Sequence, residues 1–260
     1  MSVFRKKLPP GVDPRDVEEG RMPFLAHLGE LRQRIIVSLV AVGIGFVATF
    51  SFSDRIITWL ARPLPVKLAF LEPTEPFWVN MKVALFAGLL LVLPVVLYEV
   101  WAFIAPGLLP HERRFALPFV VLSTLFFFMG ATFALTVIVP FAVKFLVSYK
   151  TENLVATISV NRYVDFVLKF TVAFGLVFEL PLGITLGARL GLVTPEFLAR
   201  NRKYAILVNF VIAAVLTPTP DAFNQLLMAG PLCLLYEAGI IAARVFGRRR
   251  TPVPRSSEAA

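Results

Sequence analysis

The sequence contains a single cysteine, Cys233, so no disulfide can form within the chain. It has two histidines, and charged residues make up only 17% of it. It also lacks a glycine-rich phosphate loop and the glycine-flanked serine of hydrolases. These shortages predict a protein that is not an enzyme and that needs no cofactor.

Apolar residues are abundant instead, at 57% of the chain, and the mean hydropathy is +0.76. Soluble domains typically contain about 45–50% apolar residues. The apolar residues fall into six segments, at 35–52, 77–97, 115–139, 163–188, 205–216 and 223–243. We therefore predict an all-α integral membrane protein with six transmembrane helices.

The fifth segment is the shortest, because only 12 apolar residues precede Thr217. They make about 18 Å of helix, against a hydrocarbon core of about 30 Å. Short fifth and sixth helices are expected, either as a re-entrant hairpin or as two spans that thin the bilayer. Pro94, Pro181 and Pro231 are expected to interrupt the second, fourth and sixth segments.

Lysine and arginine lie mostly on one side of these segments. With both termini inside, 18 lie in cytoplasmic pieces and 6 in outer loops. This asymmetry predicts cytoplasmic termini, and it explains the pI of about 10.1 without nucleic acid. The remaining two, Lys82 and Lys169, lie within spans and are expected to extend to the outer surface.

The organisation along the chain follows from the same patterns. Residues 1–22 are expected to form a disordered cytoplasmic arm, and residues 247–260 a basic disordered tail. Residues 23–246 are expected to form the membrane domain. The two halves show no paired broken helices of the kind found in inverted-repeat transporters.

Glu179 lies near the middle of the fourth segment, two residues before Pro181. An ionised acid at that depth costs about 2.5–3.5 kcal/mol. One interpretation is a protonated acid that is hydrogen-bonded within the bundle, and another is a functional residue. A proton-coupled transporter of small solutes that uses Glu179 is the alternative function, against which the missing inverted repeat argues.

The residues before the first span predict an amphipathic helix. It begins near Pro23, and leucines recur every three residues from Leu25. Glu30 and Arg34 are four residues apart and are expected to pair on one face, for about 0.2–0.5 kcal/mol. The structural alternative is an interfacial helix with a solvated charge pair.

The loop between the second and third segments, residues 98–114, is rich in aromatic side chains. One interpretation of Trp101 is an anchor at the membrane interface. The other is that Trp101, Phe103 and Ile104 form a partly apolar site beside Glu112. Such a site suits a peptide that carries arginines, because guanidinium groups form forked bonds to carboxylates.

A metal site made of His27, Glu30, His111 and Glu112 is conceivable. Adjacent histidine and glutamate side chains point about 100° apart on a helix, however, so no metal is expected. At the outer side, Asp221 follows a Thr-Pro-Thr-Pro turn, and its simplest role is the N-cap of the last helix.

Together these motifs resemble the TatC family, the large subunit of the twin-arginine protein translocase. Each motif is weak alone, whereas their order and spacing over six spans are specific. Departures occur at Ala222 and Asn224, where the family often has proline and serine. The matching segments are residues 27–34, 98–108, 111–114, 178–181 and 217–221.

The resemblance implies a receptor in the cell inner membrane, with both termini cytoplasmic and a concave bundle of helices. It implies that the receptor binds twin-arginine signal peptides of folded proteins, whose export is driven by the protonmotive force. The implied partners are single-span TatA and TatB-type subunits, other copies of the chain and the lipid bilayer.

The resemblance also implies roles for individual residues. Glu30 and Glu112 would face the arginine pair of the signal peptide, and Arg32 and Phe103 would shape that site. Glu179 would meet a polar group on a single-span partner helix. Four further residues receive roles from the resemblance. Thr217 and Gln225 would form a polar patch for the small subunits, and Asp221 and Pro63 would occupy outer-loop positions.

Overall fold

The computed structural model describes residues 24–104, 116–148, 157–216 and 221–246. The predicted arm at 1–22 and tail at 247–260 lie outside these ranges. The described chain is almost entirely helical, and it divides into two compact units, one ending at Gly175 and the other beginning at Leu176.

The first unit contains the first three long helical segments and most of the fourth. Its two-residue strands, Leu68–Ala69 (β1) and Ile158–Ser159 (β2), pair in parallel and join two connecting segments. A π-helical segment, Ala134–Ile138, links two of its helices. The helices are α1 (Phe24–Phe50), α2 (Ser53–Leu60), α3 (Glu75–Ile104), α4 (Ala116–Phe133), α5 (Val139–Ser148) and α6 (Val160–Phe178).

In the second unit the structure describes four helices, α7 (Leu180–Arg189), α8 (Pro195–Arg200), α9 (Arg202–Leu216) and α10 (Ala222–Phe246). Local capping explains where two of them begin or end. Gly191 follows α7 with a positive φ of 72°, a conformation that ends helices and that favours glycine. The side chain of Thr194 accepts a hydrogen bond from the Phe197 amide and starts α8.

Five stretches of the described chain are long and apolar enough to cross a bilayer. Helix α9, with 15 residues and about 22 Å of length, is shorter, as expected. The expectation of a short sixth helix is wrong, because α10 has 25 residues. The five stretches are His27–Phe50, Glu75–Ile104, Leu117–Ser148, Val160–Arg189 and Ala222–Phe246.

The prolines interrupt the helices less often than expected. Helix α3 continues through Pro94 and α10 continues through Pro231, so those two predicted breaks are wrong. A proline removes only one intrahelical donor, and neighbouring protein can compensate within a membrane. The chain does divide at Glu179, between α6 and α7, with Pro181 in the first turn of α7.

The third span is longer than the apolar run predicted, because it continues to Ser148. The prediction ended at Val139, one residue before Pro140. The π-helical segment Ala134–Ile138 lies directly before this proline. Because the ring of Pro140 would crowd the carbonyl four residues earlier, a widened turn there lets the helix continue.

Helices α1 and α3 form the closest helix pair of the first unit. A Cβ atom on Gly45 would lie 2.5 Å from the backbone oxygen of Gly88, so both positions require glycine. Next to this contact, the Thr49 hydroxyl donates a hydrogen bond of 2.7 Å to the Ala84 carbonyl. The backbones of α1 and α3 therefore touch at these glycines, which fixes the register of one helix against the other.

Polar contacts join the helices at the end of the first unit that lies opposite the N-terminus of α1. Lys82 donates to Asp165 at 2.7 Å and to Asn161 at 2.8 Å, both on α6. Lys82 therefore joins α3 to α6 rather than extending alone to the surface. The buried Tyr163 hydroxyl donates to the Leu60 carbonyl at 2.7 Å, which attaches the end of α2 to α6.

Candidate functional site

The N-terminal turns of α1 meet the C-terminal turns of α3 at one end of the first unit. The rings of His27 and Phe103 stack there, with centroids 4.3 Å apart and planes 14° apart. This contact is a consequence of the α1–α3 packing, which brings together residues separated by most of two spans. It gives the site a stacked aromatic pair with one ring from each helix.

A charged cluster lies beside the stack. Arg34 donates to Oε1 of Glu30 at 2.9 Å through Nη2, which confirms the predicted i,i+4 pair. Through Nη1 it also donates to Oε2 of Glu99 at 2.8 Å. Both carboxylates therefore share one guanidinium group, and the cluster of three side chains has a net charge of −1.

The cluster is largely removed from solvent. The side chains of Arg34 and Glu30 are each 19% exposed, and that of Glu99 is 9% exposed. The solvated pair that was the structural alternative is therefore not what forms. Bonds of this kind are stronger than surface ion pairs because water screens them less.

Sequence reasoning missed the role of Glu99. The sequence did indicate that Glu99 needs a partner. It lies between Tyr98 and Val100 at the end of an apolar helix, and an acid that is buried there must be paired. What the sequence does not reveal is the partner, because Arg34 is 65 residues away.

Trp101 is buried inside the first unit rather than exposed at its surface. Only 4% of it is exposed, and its ring stacks on Phe119 of α4 with centroids 4.2 Å apart. The anchor interpretation of Trp101 is therefore wrong. Its Nε1 atom is buried and has no acceptor among the residues that the structure describes.

The remaining predicted residues of this site differ in position. Arg32 is exposed on α1, one turn or less from the cluster. Glu112 and His111 lie outside the described ranges, so their placement stays a prediction. Within those ranges no group of three histidine, cysteine or acidic side chains is arranged to hold a metal ion.

Glu179 lies at the junction of α6 and α7 and is half-buried. Its amide donates to the Leu176 carbonyl at 3.1 Å, and its carbonyl accepts from Gly183 at 2.8 Å. The junction therefore remains hydrogen-bonded although the helix is divided there. This backbone arrangement accommodates Pro181 and leaves the acid at a turn within the fourth span.

The N-terminal end of α10 carries two of the predicted residues. Asp221 caps the helix as expected, because Oδ1 accepts from the Asn224 amide at 2.7 Å. Gln225 donates through Nε2 to the Phe210 carbonyl of α9 at 3.2 Å, so it ties α10 to α9. Thr217 lies outside the described ranges.

Pro63 follows α2 and is exposed. It lines a cavity of about 130 Å³, together with Arg62 and residues of the third and fourth spans. Leu135, from the π-helical segment, lines the same cavity. Pro63 therefore belongs to the end of the unit opposite the charged cluster.

Comparison with known proteins identifies the family. A family model described as Sec-independent protein translocase protein (TatC) matches residues 26–231. The chain belongs to the TatC family. It is 45% identical over 239 residues to the TatC protein of Desulforapulum autotrophicum, a match that covers 90% of this chain and 88% of that relative.

Other relatives agree with this assignment. The TatC protein of Carboxydothermus hydrogenoformans is 39% identical over 231 residues, covering 88% of this chain and 95% of its own. The chain also resembles a crystal structure of the twin-arginine translocase receptor TatC, with a TM-score of 0.75 and 42% identity. That match covers 85% of this chain and 100% of the other.

The TatC comparisons settle two predictions. The fold is confirmed as that of a membrane protein with six helical segments. Five of them are the long stretches described above, and the remaining one is α9, which falls short of a full span. The class is confirmed as a component of a protein translocase, because this is how the family and the relatives are described. The alternative of a small-solute transporter receives no support.

Proposed function

We propose that this chain is the receptor subunit of a twin-arginine translocase and that it binds the signal peptide at the junction of α1 and α3. The observation that carries the proposal is the buried cluster of Glu30, Arg34 and Glu99 beside the stacked rings of His27 and Phe103. Its net negative charge suits a cationic peptide, and its aromatic surface suits the apolar residues near the arginines.

The chemistry of arginine recognition supports this site. A guanidinium bonded to a carboxylate contributes about 1.5–3 kcal/mol, and salt weakens the exposed part of such a bond. Glu30 and Glu112 receive the two arginines in this proposal. Arg32 and Phe103 shape the surface around them.

The second part of the proposal concerns assembly. Single-span subunits of the TatA and TatB type contact the chain through Glu179 and through the polar end of α9 and α10, with Thr217 and Gln225. Further copies of the chain take part in the same complex. The chain acts as a receptor and not as an enzyme, and the protonmotive force drives export across the inner membrane.

Photocrosslinking tests the peptide site. A photoreactive residue placed at position 30, 103 or 112 is expected to capture a signal peptide that carries Arg-Arg, and to capture a Lys-Lys peptide poorly. Position 152, in a predicted outer loop, is the control. Equal capture from position 152, or equal capture of both peptides, contradicts the proposed site.

Substitution of Glu112 provides a second test. Glu112→Ala and Glu112→Gln both remove the charge, so each is expected to weaken peptide binding more than Glu152→Ala does. The glutamine variant keeps the shape of the side chain and therefore isolates the effect of charge. Unchanged binding by both variants means that Glu112 does not receive an arginine.

The proposed orientation places both termini in the cytoplasm. The distribution of lysine and arginine supports it, because 18 lie on the cytoplasmic side of six spans and 6 on the other. A reporter enzyme that is active only in the cytoplasm is expected to be active when it is fused after Ala260. An external signal from that fusion contradicts the orientation.

A further inference from the structure

The guanidinium group of Arg34 is divided between two carboxylates. It uses Nη2 for Oε1 of Glu30 and Nη1 for Oε2 of Glu99, at 2.9 and 2.8 Å. Arginine commonly forms a forked pair with both oxygens of one carboxylate. Here Arg34 instead forms one bond to each of two carboxylates.

Because Arg34 donates to Oε1 of Glu30, the other oxygen of that carboxylate does not receive this bond. Oε2 of Glu30 is buried and has no hydrogen-bond donor among the described residues. A buried carboxylate oxygen without a donor is unfavourable, whereas one that receives a charge-assisted bond is favourable. The site is therefore one guanidinium short of complete pairing, which agrees with the net charge of −1.

We infer, building on the proposed peptide site, that Glu99 is a positioning residue for recognition of the signal peptide. It draws one side of the Arg34 guanidinium onto α3, so that Glu30 keeps Oε2 for an arginine of the incoming peptide. Without Glu99, Arg34 pairs with both oxygens of Glu30 and competes with the peptide for the same carboxylate.

Direct contact between Glu99 and the peptide fits the structure less well. Among the described residues, the buried carboxylate oxygen of this cluster that lacks a donor belongs to Glu30 and not to Glu99. The whole residue Glu99 is 7% exposed, and its Oε2 accepts the bond from Arg34. Glu99 is also one of the buried residues of α3. Glu99 therefore acts on the peptide through Arg34.

The inference makes a specific prediction about a pair of substitutions. Glu99→Leu is expected to weaken binding of an Arg-Arg signal peptide about tenfold, because it releases Arg34 to occupy both oxygens of Glu30. Adding Arg34→Gln removes the competing guanidinium, so the double variant is expected to bind better than Glu99→Leu alone. A merely structural role of Glu99 does not produce this recovery.

The measurement is the affinity of the purified full-length protein for fluorescent Arg-Arg and Lys-Lys signal peptides, with Tm determined for every variant. Glu99→Gln is a milder second variant, since its amide oxygen still accepts from Arg34, and an intermediate affinity is expected. Glu237→Leu is the matched control, because Glu237 also forms an ion pair between helices, with Arg202 at 2.7 Å. It is expected to leave peptide affinity unchanged.

The outcomes separate the two proposals. Wild-type protein that binds both peptides equally, or neither, overturns the proposed function and this inference with it. Selective wild-type binding that Glu99→Leu does not weaken overturns the role of Glu99 alone. A double variant that binds as weakly as Glu99→Leu does the same, because Arg34 is then not the competitor.

Discussion

Gly45 and Gly88 place the backbones of α1 and α3 in direct contact. A Cβ atom on Gly45 would lie 2.5 Å from the Gly88 oxygen and 3.1 Å from its Cα, closer than side chains approach in real proteins. Because α1 carries Glu30 and α3 carries Glu99 and Phe103, this contact sets the spacing of the two helices that carry the proposed peptide site. The spacing of the proposed site therefore depends on residues that lie about 16–22 Å from it along the two helices.

Gly45→Ala is expected to destabilise the protein by about 1–3 kcal/mol, because the added methyl group forces the two backbones apart. Peptide affinity is expected to fall as well, since the ends of α1 and α3 separate. Thermal unfolding and peptide binding of the purified protein measure the two effects.

Gly43→Ala is the matched control for that experiment. Gly43 lies on the same helix, and a Cβ atom there meets nothing within 4 Å. Alanine also forms helix more readily than glycine, by about 0.5–1 kcal/mol, so this variant is expected to be at least as stable as wild type. Similar losses in both variants would mean that the Gly45–Gly88 contact does not limit stability.

The pair of Lys82 and Asp165 gives a second prediction. Their side chains are 38% exposed each, and Nζ and Oδ1 lie 2.7 Å apart. Lys82→Met leaves the acid without its cation, and a loss of about 1 kcal/mol or less is expected, equivalent to about 2–4 °C in Tm.

Exchange of the two charges separates pairing from the cost of a lone charge. The double variant Lys82→Asp with Asp165→Lys keeps one charge of each sign, so it is expected to recover part of the stability that each single change loses. If the double variant is no more stable than the worse single variant, the contact does not hold α3 to α6.

Short-range features of this chain were predictable from sequence. Glu30 and Arg34 pair as expected because residues four apart share one face of a helix. Asp221 caps α10 as expected because aspartate before a helix accepts from its first amides. The short fifth helix also followed directly from the length of its apolar run.

Long-range features were not predictable in the same way. The bonds that Arg34 donates to Glu99 and that Lys82 donates to Asp165 join residues 65 and 83 positions apart. Such pairs depend on the packing and register of whole helices, which one sequence does not reveal. The continuity of α3 through Pro94 was missed for a related reason, since proline breaks a helix only where its surroundings fail to compensate.

The cap of α10 supports a third prediction. Asp221→Ala removes the acceptor for the Asn224 amide, and the expected loss of stability is about 0.5–2 kcal/mol. Asp221→Asn keeps an oxygen that accepts the same bond, so its Tm is expected to stay near that of wild type. A large loss in the asparagine variant would indicate that the charge of Asp221 matters beyond capping.

The last prediction concerns Glu179, which lies half-buried where α6 and α7 are divided. A neutral carboxylic acid both donates and accepts hydrogen bonds, as an amide does, so Glu179→Gln is expected to retain much of the function.

Glu179→Ala removes the polar group, and loss of one side of a buried hydrogen bond costs about 1–3 kcal/mol. This corresponds to about 5- to 150-fold in a helix–helix association. Recruitment of the single-span subunits is therefore expected to fall in the alanine variant, while peptide binding at the α1–α3 junction stays intact. Co-purification of the subunits and peptide crosslinking, both measured on the same variant, test this; loss of peptide binding with normal recruitment would reverse the assignment.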